Sequence, residues 1–260
     1  MSSDPGFNIP RAQAALRTAV LGQPLIWLES VDSTQDELRR LLAEGTPGGT
    51  VVAAGTQTAG RGRRGRVWSD RPGEDLLFSV ALPPGLKAEG LVSVVLGAYL
   101  AETIGQETRQ PVRLRWPNDL VIGASKVGGV LVETAGEVLL VGVGLNVKGR
   151  AGNLAQQLGR PVTTLESGTE RQLWREDLLA ACLNALSRAY EQLASGDRGP
   201  ATRKIADLDG LRGSTVLVTG PQGIVEGTAL GIALDGALLL RTGPAITEVT
   251  VADDVTVQEA

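Results

Sequence analysis

The pattern of apolar residues changes once along the chain, near residues 196–210, and this change limits the folds that the chain can adopt. Before it, strands and helices follow one another without a regular strand–helix–strand repeat. After it come only short alternating strands separated by glycine-containing turn signals. The stretch SGDRGP at 195–200 is polar and rich in glycine and proline, as domain boundaries are. We therefore predict an α+β domain over residues 1–205 and a small antiparallel barrel of about five strands over residues 206–260.

The composition excludes several kinds of catalysis. No histidine occurs among the 260 residues, which removes Ser-His and Cys-His catalysis, histidine general bases and histidine-ligated metal sites. The single cysteine, Cys182, cannot form an intramolecular disulfide, and its apolar helical surroundings are typical of a buried thiol. The chemistry must therefore use carboxylates, lysine, arginine, amides, hydroxyls or a bound cation.

Net charge and hydropathy indicate where the protein works. The formal net charge of -4 has the wrong sign for a protein that coats nucleic acid. No apolar run reaches the roughly 18 residues of a membrane span, and the first residues lack a secretory signal pattern. We expect a cytoplasmic protein that binds neither DNA nor membranes.

The positive charge is concentrated in one segment, GRGRRGR at residues 60–66, called the Gly–Arg loop below. It matches G-x-G-x-x-G, but a dinucleotide site needs a helix directly afterwards, whereas Pro72 and Gly73 and then a strand follow here. A disordered arginine–glycine tail does not lie between two strong strands. Two interpretations remain: a flexible loop whose guanidinium groups bind phosphate, and a merely solvated basic loop.

Other motifs favour the first interpretation. In chain order they are DSTQ (32–35), QTAGRGRRGRVWSD (57–70), RWPNDL (115–120), KVGGVLVE (126–133) and VGLNV (143–147). Together they resemble the biotin protein ligases, and the resemblance covers about residues 25–258. It implies a mixed sheet flanked by helices, of the biotin/lipoate ligase type, and an SH3-like C-terminal barrel.

The resemblance implies a two-step ligase reaction. Biotin and ATP condense to biotinyl-5'-AMP, and the biotin then passes to one lysine of a carrier domain in a biotin-dependent carboxylase. A carboxylate attacks the α-phosphate in the first step, so the reaction needs cations that stabilise negative charge and does not need histidine. ATP and Mg²⁺ are the implied cofactors.

The resemblance also implies roles for individual residues. The implied catalytic residues are Lys126, Arg61, Arg63 and Asp119. Biotin contacts are implied for Ser33, Thr34, Gln35, Gln57, Arg61, Gly62, Arg63, Lys126, Gly128 and Gly129. ATP contacts are implied for Arg61, Arg63, Arg64, Arg66, Trp68, Asn118, Lys126 and Asn146. No pattern predicts metal ligands directly, and Mg²⁺ would enter with ATP near Asp119 or Asn146.

Each of these residues also has a purely structural interpretation. Ser33 or Thr34 can cap a helix, and Asn118 with Asp119 can form a turn after Pro117. Trp68 can be a core residue, Asn146 a turn at a strand end, and Lys126 a surface lysine. Gln35 departs from the family, which usually has asparagine at this position; the amide is kept but reaches further.

Three other functions stay open at this point. A lipoate-type ligase uses the same adenylate chemistry, although the Gly–Arg loop, the KVGGVLVE hairpin and the barrel favour biotin. A non-catalytic module that binds biotin or nucleotide would not need the lysine and arginines together. A helix-turn-helix repressor would need more than the roughly 25 residues that precede the catalytic motifs, so we expect a monofunctional ligase. The sequence leaves the oligomeric state open, and a homodimer is compatible with it.

Overall fold

The computed structural model describes residues 6–87, 90–151, 154–155, 159–221 and 223–258. The helices are α1 (Ile9–Ala15), α2 (Thr34–Ala43), α3 (Gly90–Thr108), α4 (Arg175–Ala194) and α5 (Gly199–Leu208). The first seven strands are β1 (Leu25–Leu28), β2 (Val51–Ala54), β3 (Leu76–Ala81), β4 (Val112–Arg115), β5 (Asp119–Ile122), β6 (Ser125–Ala135) and β7 (Val138–Leu145). Five more follow: β8 (Thr215–Gly220), β9 (Gly223–Ile232), β10 (Leu238–Thr242), β11 (Ala245–Val249) and β12 (Asp254–Val257).

The first seven strands form one mixed sheet in the order β1-β2-β3-β7-β6-β5-β4. Only the β1–β2 pair is parallel, so the predicted mixed sheet is confirmed. Helix α3 is mostly apolar and largely buried between β4 and α4, with Gln106 and Glu107 exposed near its end. Together these elements build the main hydrophobic core.

Helix α2 begins where its capping pattern predicts. Ser33 is the N-cap: its backbone is extended, and its hydroxyl accepts a hydrogen bond from the backbone N–H of Asp36 at 3.4 Å. Of the two capping pairs that the sequence allows, the structure thus has Ser33 with Asp36. Gly45 ends the helical segment with a φ of +94°, a conformation that favours glycine.

The segment VRLRWPNDLVI forms a tight hairpin, although its pattern indicates a single strand broken by Pro117. Strands β4 and β5 are antiparallel, with Arg115 opposite Asp119, and the Trp116–Pro117 peptide in the turn is cis. The turn therefore places Asn118 and Asp119 at one end of the sheet.

An irregular register between β5 and β6 brings Lys126 to the same face. Asp119 lies opposite Gly129 and Val121 opposite Lys126, with a register shift between Leu120 and Val121. One extra residue on β6 reverses the usual alternation of side chains. Lys126 therefore projects on the face of Asp119 and Gly129, with its Nζ 3.3 Å from the position a Cβ on Gly129 would take.

The last five strands form an antiparallel sheet in the order β11-β10-β9-β8-β12. This matches the predicted number of strands, and the pairing order among the described residues is linear. Helix α5 occupies most of the predicted boundary region and packs against α3 and β9. Trp116 donates from Nε1 to the carbonyl of Gly236, which ties the β4–β5 turn to this sheet.

The predicted division at residues 205 and 206 stays a prediction. Its outer ends, at residues 1–5 and 259–260, lie outside the described part of the chain. Among the residues that the structure covers, no helix has both the length and the apolar character needed to cross a bilayer.

Candidate active site

A cavity of about 400 Å³ opens where the start of α2, the Gly–Arg loop, the β4–β5 turn and the beginning of β12 meet. The predicted residues that line it are Ser33, Thr34, Gln35, Gln57, Arg61, Gly62, Arg63, Arg64, Arg66, Trp68, Asn118, Asp119, Lys126 and Gly129. Four of the five motifs thus supply these residues to one wall. The folded chain brings together residues that lie up to 96 positions apart in sequence, from Ser33 to Gly129.

Positive charge dominates this wall. The cationic side chains that line the cavity are Arg61, Arg63, Arg64, Arg66, Arg115, Lys126 and Arg160, and the carboxylates are Asp119, Asp253 and Asp254. Cations outnumber carboxylates, so the described part of the cavity attracts anions. A compact ligand with several negative charges, such as a triphosphate, suits this wall better than a neutral molecule.

Lys126 is the most deeply buried of these cations. Its residue exposure is 8%, and its Nζ donates to Oδ1 of Asp119 over 2.5 Å. Burial lowers the pKa of the ammonium, while the carboxylate of Asp119 acts in the opposite direction. Arg160 approaches the other oxygen of Asp119 at 3.7 Å. Asp119 is therefore held between two cations, and an anionic ligand has to compete with it for Lys126.

The Gly–Arg loop is a folded turn. The loop closes on itself because the Gly62 amide donates to the Arg66 carbonyl at 2.8 Å and the Trp68 amide donates to the Gly60 carbonyl at 2.9 Å. A single 3₁₀ turn occupies Arg63–Gly65, in contrast to the helix that a dinucleotide fingerprint requires. The dinucleotide interpretation is thus excluded by the backbone as well as by the sequence.

Two arginines of the loop are bound by the C-terminal sheet. Arg64 forms an ion pair with Asp253, and its backbone takes the left-handed conformation at φ +57°. Arg66 donates to the backbone carbonyl of Asp253 over 2.5 Å and has Asp254 at 3.8 Å. The two acids at the start of β12 therefore hold the loop against the cavity from the far end of the chain.

Arg63 points inward. It is largely withdrawn from solvent and donates to the side-chain oxygen of Asn118 at 3.4 Å. Burial, followed by the neighbouring charges of Arg64 and Arg66, lowers the pKa of its guanidinium, although arginine stays charged in proteins. Asn118 is itself fixed, since its Nδ2 donates to the Val130 carbonyl at 2.9 Å. Arg63 is therefore a partly buried charge in contact with a neutral amide, and a bound anion would stabilise this charge.

Uncharged polar groups form another part of the wall. The side-chain oxygen of Gln57 accepts from the Thr34 amide at 2.8 Å and from the Thr34 hydroxyl at 3.1 Å. The Thr34 hydroxyl also lies 2.8 Å from the Ser79 hydroxyl, and Phe78 lines the cavity nearby. Fixed donors and acceptors beside apolar surface are what a neutral, ring-shaped ligand requires.

Gln35 is buried at the cavity wall, and its amide is hydrogen-bonded to a neighbouring carboxylate. Its Nε2 donates to Oε2 of Glu133 at 3.0 Å, and its Oε1 lies 2.3 Å from where a Cβ on Gly142 would be. The longer side chain therefore needs glycine at position 142 and uses its extra reach to contact Glu133. The sequence alone indicates the longer reach but not this partner.

Trp68 lines the cavity, and Asn146 lies just beyond it. The indole ring packs on Gly144, and Lys126 Nζ lies 5.4 Å from the ring centroid. The Trp68 Nε1–H is buried without a hydrogen-bond partner in the described residues. Asn146 does not line the main cavity. It borders an adjoining space of about 20 Å³ that also touches Trp68 and Lys126.

The two glycines of KVGG have different surroundings. A Cβ at Gly129 would meet the Lys126 side chain in the cavity, which agrees with the expectation that glycine leaves room there. A Cβ at Gly128 would instead lie 2.5 Å from Leu145 Cδ2 and 2.8 Å from the Gly144 carbonyl. Gly128 is outside the cavity wall, and close packing of β6 on β7 explains the glycine.

Sequence reasoning missed several residues of the wall. Among the cations these are Arg115 and Arg160, and among the carboxylates Asp253 and Asp254. Arg115 lies in the quoted motif RWPNDL and could have been singled out; its pKa is lowered, mainly by burial. Arg160 and Asp253 lie in loops and Asp254 begins β12, and none of the three belongs to a motif, so their position depends on how the two sheets pack.

The residues described here do not build a metal site unaided. Groups of three or more Asp, Glu or Cys side chains suited to an ion are absent from the described residues. Asp119 is already in contact with Lys126 and Arg160, and Asn146 uses its amide nitrogen on the Thr163 carbonyl at 3.2 Å. Protein ligands for Mg²⁺ are thus limited to few atoms, and a nucleotide would have to supply the rest.

Two family profiles match the chain. The profile of the biotin/lipoate A/B protein ligase family matches residues 27–149, which include α2, the Gly–Arg loop and β6. The profile of the biotin protein ligase C terminal domain matches residues 213–251, which include β8 to β11. The second profile is specific to biotin protein ligases, whereas the first also covers lipoate enzymes.

Individual relatives match most of the chain. The bifunctional ligase/repressor BirA of Bacillus spizizenii is 29% identical over 245 residues, which are 92% of this chain and 75% of that protein. The biotin--[acetyl-CoA-carboxylase] ligase of Paracoccus denitrificans is 31% identical over 238 residues, 88% of this chain and 98% of that protein.

A solved structure of a biotin protein ligase is similar to this chain in both sequence and fold. The biotin protein ligase from Aquifex aeolicus, in complex with biotin and ATP, is 30% identical and covers 91% of this chain and 99% of its own, with a TM-score of 0.80. By sequence, by fold and by its C-terminal sheet, this chain belongs to the biotin protein ligase family.

Proposed function

We propose that this chain activates biotin with ATP to biotinyl-5'-AMP and transfers the biotin to one lysine of a biotin carboxyl carrier domain. The observation that carries the proposal is the buried ammonium of Lys126 at the centre of a strongly cationic cavity. A carboxylate and a triphosphate are both anions, and bringing them together needs such a group. The family membership supplies the identity of the acid.

The first step joins the two anions. A biotin carboxylate oxygen bonds to the α-phosphorus, the bond from that phosphorus to the oxygen bridging to the β-phosphate breaks, and pyrophosphate leaves. Lys126, Arg61 and Arg63 are the catalytic cations, and Lys126 lies between carboxylate and α-phosphate. Charge-assisted hydrogen bonds contribute roughly 1.5–3 kcal/mol each, so these cations together supply several powers of ten in rate.

The second step transfers biotin to the carrier. The neutral amine of the carrier lysine attacks the carbonyl of the mixed anhydride, an amide bond forms, and AMP leaves with the electron pair. Asp119 is the group that accepts the proton of the attacking amine, once the bound adenylate has drawn Lys126 away from it. Closure of the Gly–Arg loop protects the anhydride from water between the two steps.

The remaining contacts divide between the two ligands. Ser33, Thr34 and Gln57 are proposed to contact the ureido ring, with Gly62 above the ligand and Gly129 leaving room below it. Arg64, Arg66, Asn118 and Asn146 are proposed to contact the nucleotide, and Trp68 to stack on adenine. Gln35 supports the biotin pocket through Glu133, and Gly128 supports it through strand packing.

Biotin is favoured over lipoate by the C-terminal sheet. The profile of the family's C-terminal domain matches β8 to β11 of that sheet, and Asp253 and Asp254, where its last strand begins, contact the Gly–Arg loop. A non-catalytic binding protein is disfavoured because Lys126 and Asp119 are both present and in contact. The carrier is proposed to be that of acetyl-CoA carboxylase or a related enzyme.

General chemistry supports proposals on the metal ion, the cellular location and DNA binding. We propose that Mg²⁺ enters with ATP and not through a preformed protein site, because Mg²⁺ commonly keeps waters and phosphate oxygens as ligands. We propose a cytoplasmic enzyme. We also propose that it does not bind DNA, since the local positive charge is gathered around one cavity and the net charge of the chain is -4. A gel-shift assay at low salt tests the latter point, and sedimentation tests whether a homodimer forms.

The proposed function is tested by transfer to a carrier. Purified protein, ATP and Mg²⁺ are incubated with a biotin carboxyl carrier domain and either biotin or lipoate, and the carrier mass is measured. We expect a biotin-dependent mass increase on a single lysine, which disappears in a carrier whose acceptor lysine is replaced by arginine. Modification by lipoate alone would change the substrate, and no modification with either acid would remove the ligase assignment.

A further inference from the structure

Four charged side chains at the edge of the cavity form a closed ring of ion pairs, called the cavity ring below. Arg39 on α2 contacts Asp36 Oδ1 at 2.6 Å and Glu133 Oε2 at 3.0 Å. Arg61 of the Gly–Arg loop contacts the same two oxygens, at 2.8 Å and 2.9 Å. Cations and carboxylates therefore alternate around the ring, which is electrically neutral.

The ring sets the position of one cavity residue. Arg61 lines the cavity, whereas Arg39, Asp36 and Glu133 stand behind it. Both ring contacts of Arg61 use Nη2, so within the described part of the chain its Nη1 and Nε donors are available to a ligand. The two carboxylates thus fix the direction in which the Arg61 guanidinium faces.

Arg39 determines the net charge that a ligand meets at this wall. Two carboxylates beside Arg61 alone would leave one negative charge in excess, and this excess would cancel the attraction of Arg61 for an anion. Arg39 supplies the compensating charge without entering the cavity. The side chains of these ion pairs are 30–38% exposed, so the pairs contribute little to folding stability. Their main effect is on the net charge that a ligand meets in the cavity.

We propose that Arg39 is a positioning residue, which keeps the Asp36–Glu133 pair neutral toward the cavity so that Arg61 can bind the anionic groups of the substrates. The proposal rests on the ligase function proposed above. It predicts that removal of the Arg39 charge weakens the binding of ATP, the most highly charged substrate, and affects KM more than kcat.

The test compares two arginines on the same helix. Arg39→Gln and Arg40→Gln remove the same charge from adjacent positions, but Arg40 pairs with Asp32 and Glu37, which do not line the cavity. At low salt we expect Arg39→Gln to raise the KM for ATP about three- to tenfold, and Arg40→Gln to change it by less than about twofold. The difference should shrink as the salt concentration rises.

Two further variants separate charge from packing. Arg39→Lys keeps the charge and should stay close to the wild-type KM. The double variant Arg39→Gln/Glu133→Gln restores neutrality and should recover most of the loss. A loss that persists at high salt and is not recovered by the double variant would overturn the proposal, as would equal KM values for Arg39→Gln and Arg40→Gln.

Calorimetric titration with ATP alone keeps this test independent of the reaction. The dissociation constant for ATP should rise for Arg39→Gln by a factor similar to that of KM, and should not change for Arg40→Gln. A wild-type protein that binds ATP but lacks biotin-dependent turnover would remove the proposed function, and the ratio of dissociation constants would still decide the role of Arg39.

Discussion

The ammonium nitrogen of Lys126 lies 2.5 Å from Oδ1 of Asp119, its neighbour across two antiparallel strands. The irregular register of β5 on β6 creates this contact, because in regular alternation Lys126 would face the opposite side of the sheet. The contact keeps a charged lysine inside the protein in the absence of substrate. It also makes Asp119 available when a substrate anion takes its place.

The buried lysine should influence stability at alkaline pH. Its folded-state pKa is lowered from the ordinary value of 10.5, chiefly by burial, so the unfolded chain binds more protons in the interval between the lowered pKa and 10.5. The free energy of unfolding attributable to Lys126 therefore rises with pH across that interval. We expect thermal unfolding of Lys126→Met to lack this rise.

The comparison with Lys126→Met isolates the lysine from other titrating groups. The pKa of Tyr99 is raised from 10.0 by burial, and that residue destabilises the fold as pH rises through the same range. Because both proteins contain Tyr99, its effect cancels in the difference between their melting curves. Parallel curves from neutral pH to above 10.5 would contradict the shift assigned to Lys126.

The contact of Trp68 with Gly144 should control nucleotide binding. A Cβ at position 144 would lie 2.5 Å from atoms Cε2 and Cζ2 of the Trp68 ring, and a rigid indole has to move away. Such overpacking costs about 1–3 kcal/mol. We expect Gly144→Ala to raise the KM for ATP about tenfold or more, and the KM for biotin by less.

Gly6→Ala serves as the control for Gly144→Ala, since no atom of the described residues lies within 4 Å of the added methyl group. Steady-state kinetics with each substrate varied in turn gives the two KM values. An unchanged KM for ATP in Gly144→Ala would show that the indole does not bind the nucleotide.

The ion pair between Arg64 and Asp253 should protect the Gly–Arg loop from proteolysis. Trypsin cleaves after arginine, and the loop must open to enter the protease. Exposed ion pairs contribute roughly 0.2–1 kcal/mol, so Asp253→Asn should accelerate cleavage in the loop about two- to fivefold. Mass spectrometry of brief digests measures the rate of cleavage after Arg64 and Arg66.

Glu226→Gln provides the matched control for Asp253→Asn, because Glu226 is an exposed carboxylate on β9 of the same sheet. Equal cleavage rates for the two variants would show that Asp253 does not hold the loop. Protection of both variants by ATP and biotin would indicate that ligands close the loop independently of this ion pair.

Local patterns predict the parts of the fold that local chemistry determines. The Ser33 cap, the long hairpin of β6 and β7 and the five C-terminal strands follow from capping residues, periodicity and turn signals, whereas the mixed sheet is implied by the family resemblance. The pattern of two apolar strands around Ala135-Gly136 predicts a turn there, and β6 ends at Ala135. Standard backbone preferences act within a few residues, so a sequence displays them directly.

Local sequence patterns do not predict the contacts between segments that are far apart in the chain. Asp253 lies 189 positions after Arg64, and nothing in VADDVTV distinguishes an acid that binds the loop from one that faces solvent. Arg39 and Arg40 are adjacent on one helix, yet only Arg39 reaches the cavity ring. These contacts depend on the rotation of α2 and on how the sheets pack, which only the folded structure fixes.

The most direct test of the account is ATP–pyrophosphate exchange with Mg²⁺ and either biotin, lipoate or no acid. We predict biotin-dependent exchange in the wild type, its loss by about two orders of magnitude or more in Lys126→Ala, and little change in Lys87→Ala, an exposed lysine. Biotin-dependent exchange that survives in Lys126→Ala would contradict the central role of Lys126, and exchange with lipoate but not biotin would contradict the proposed substrate.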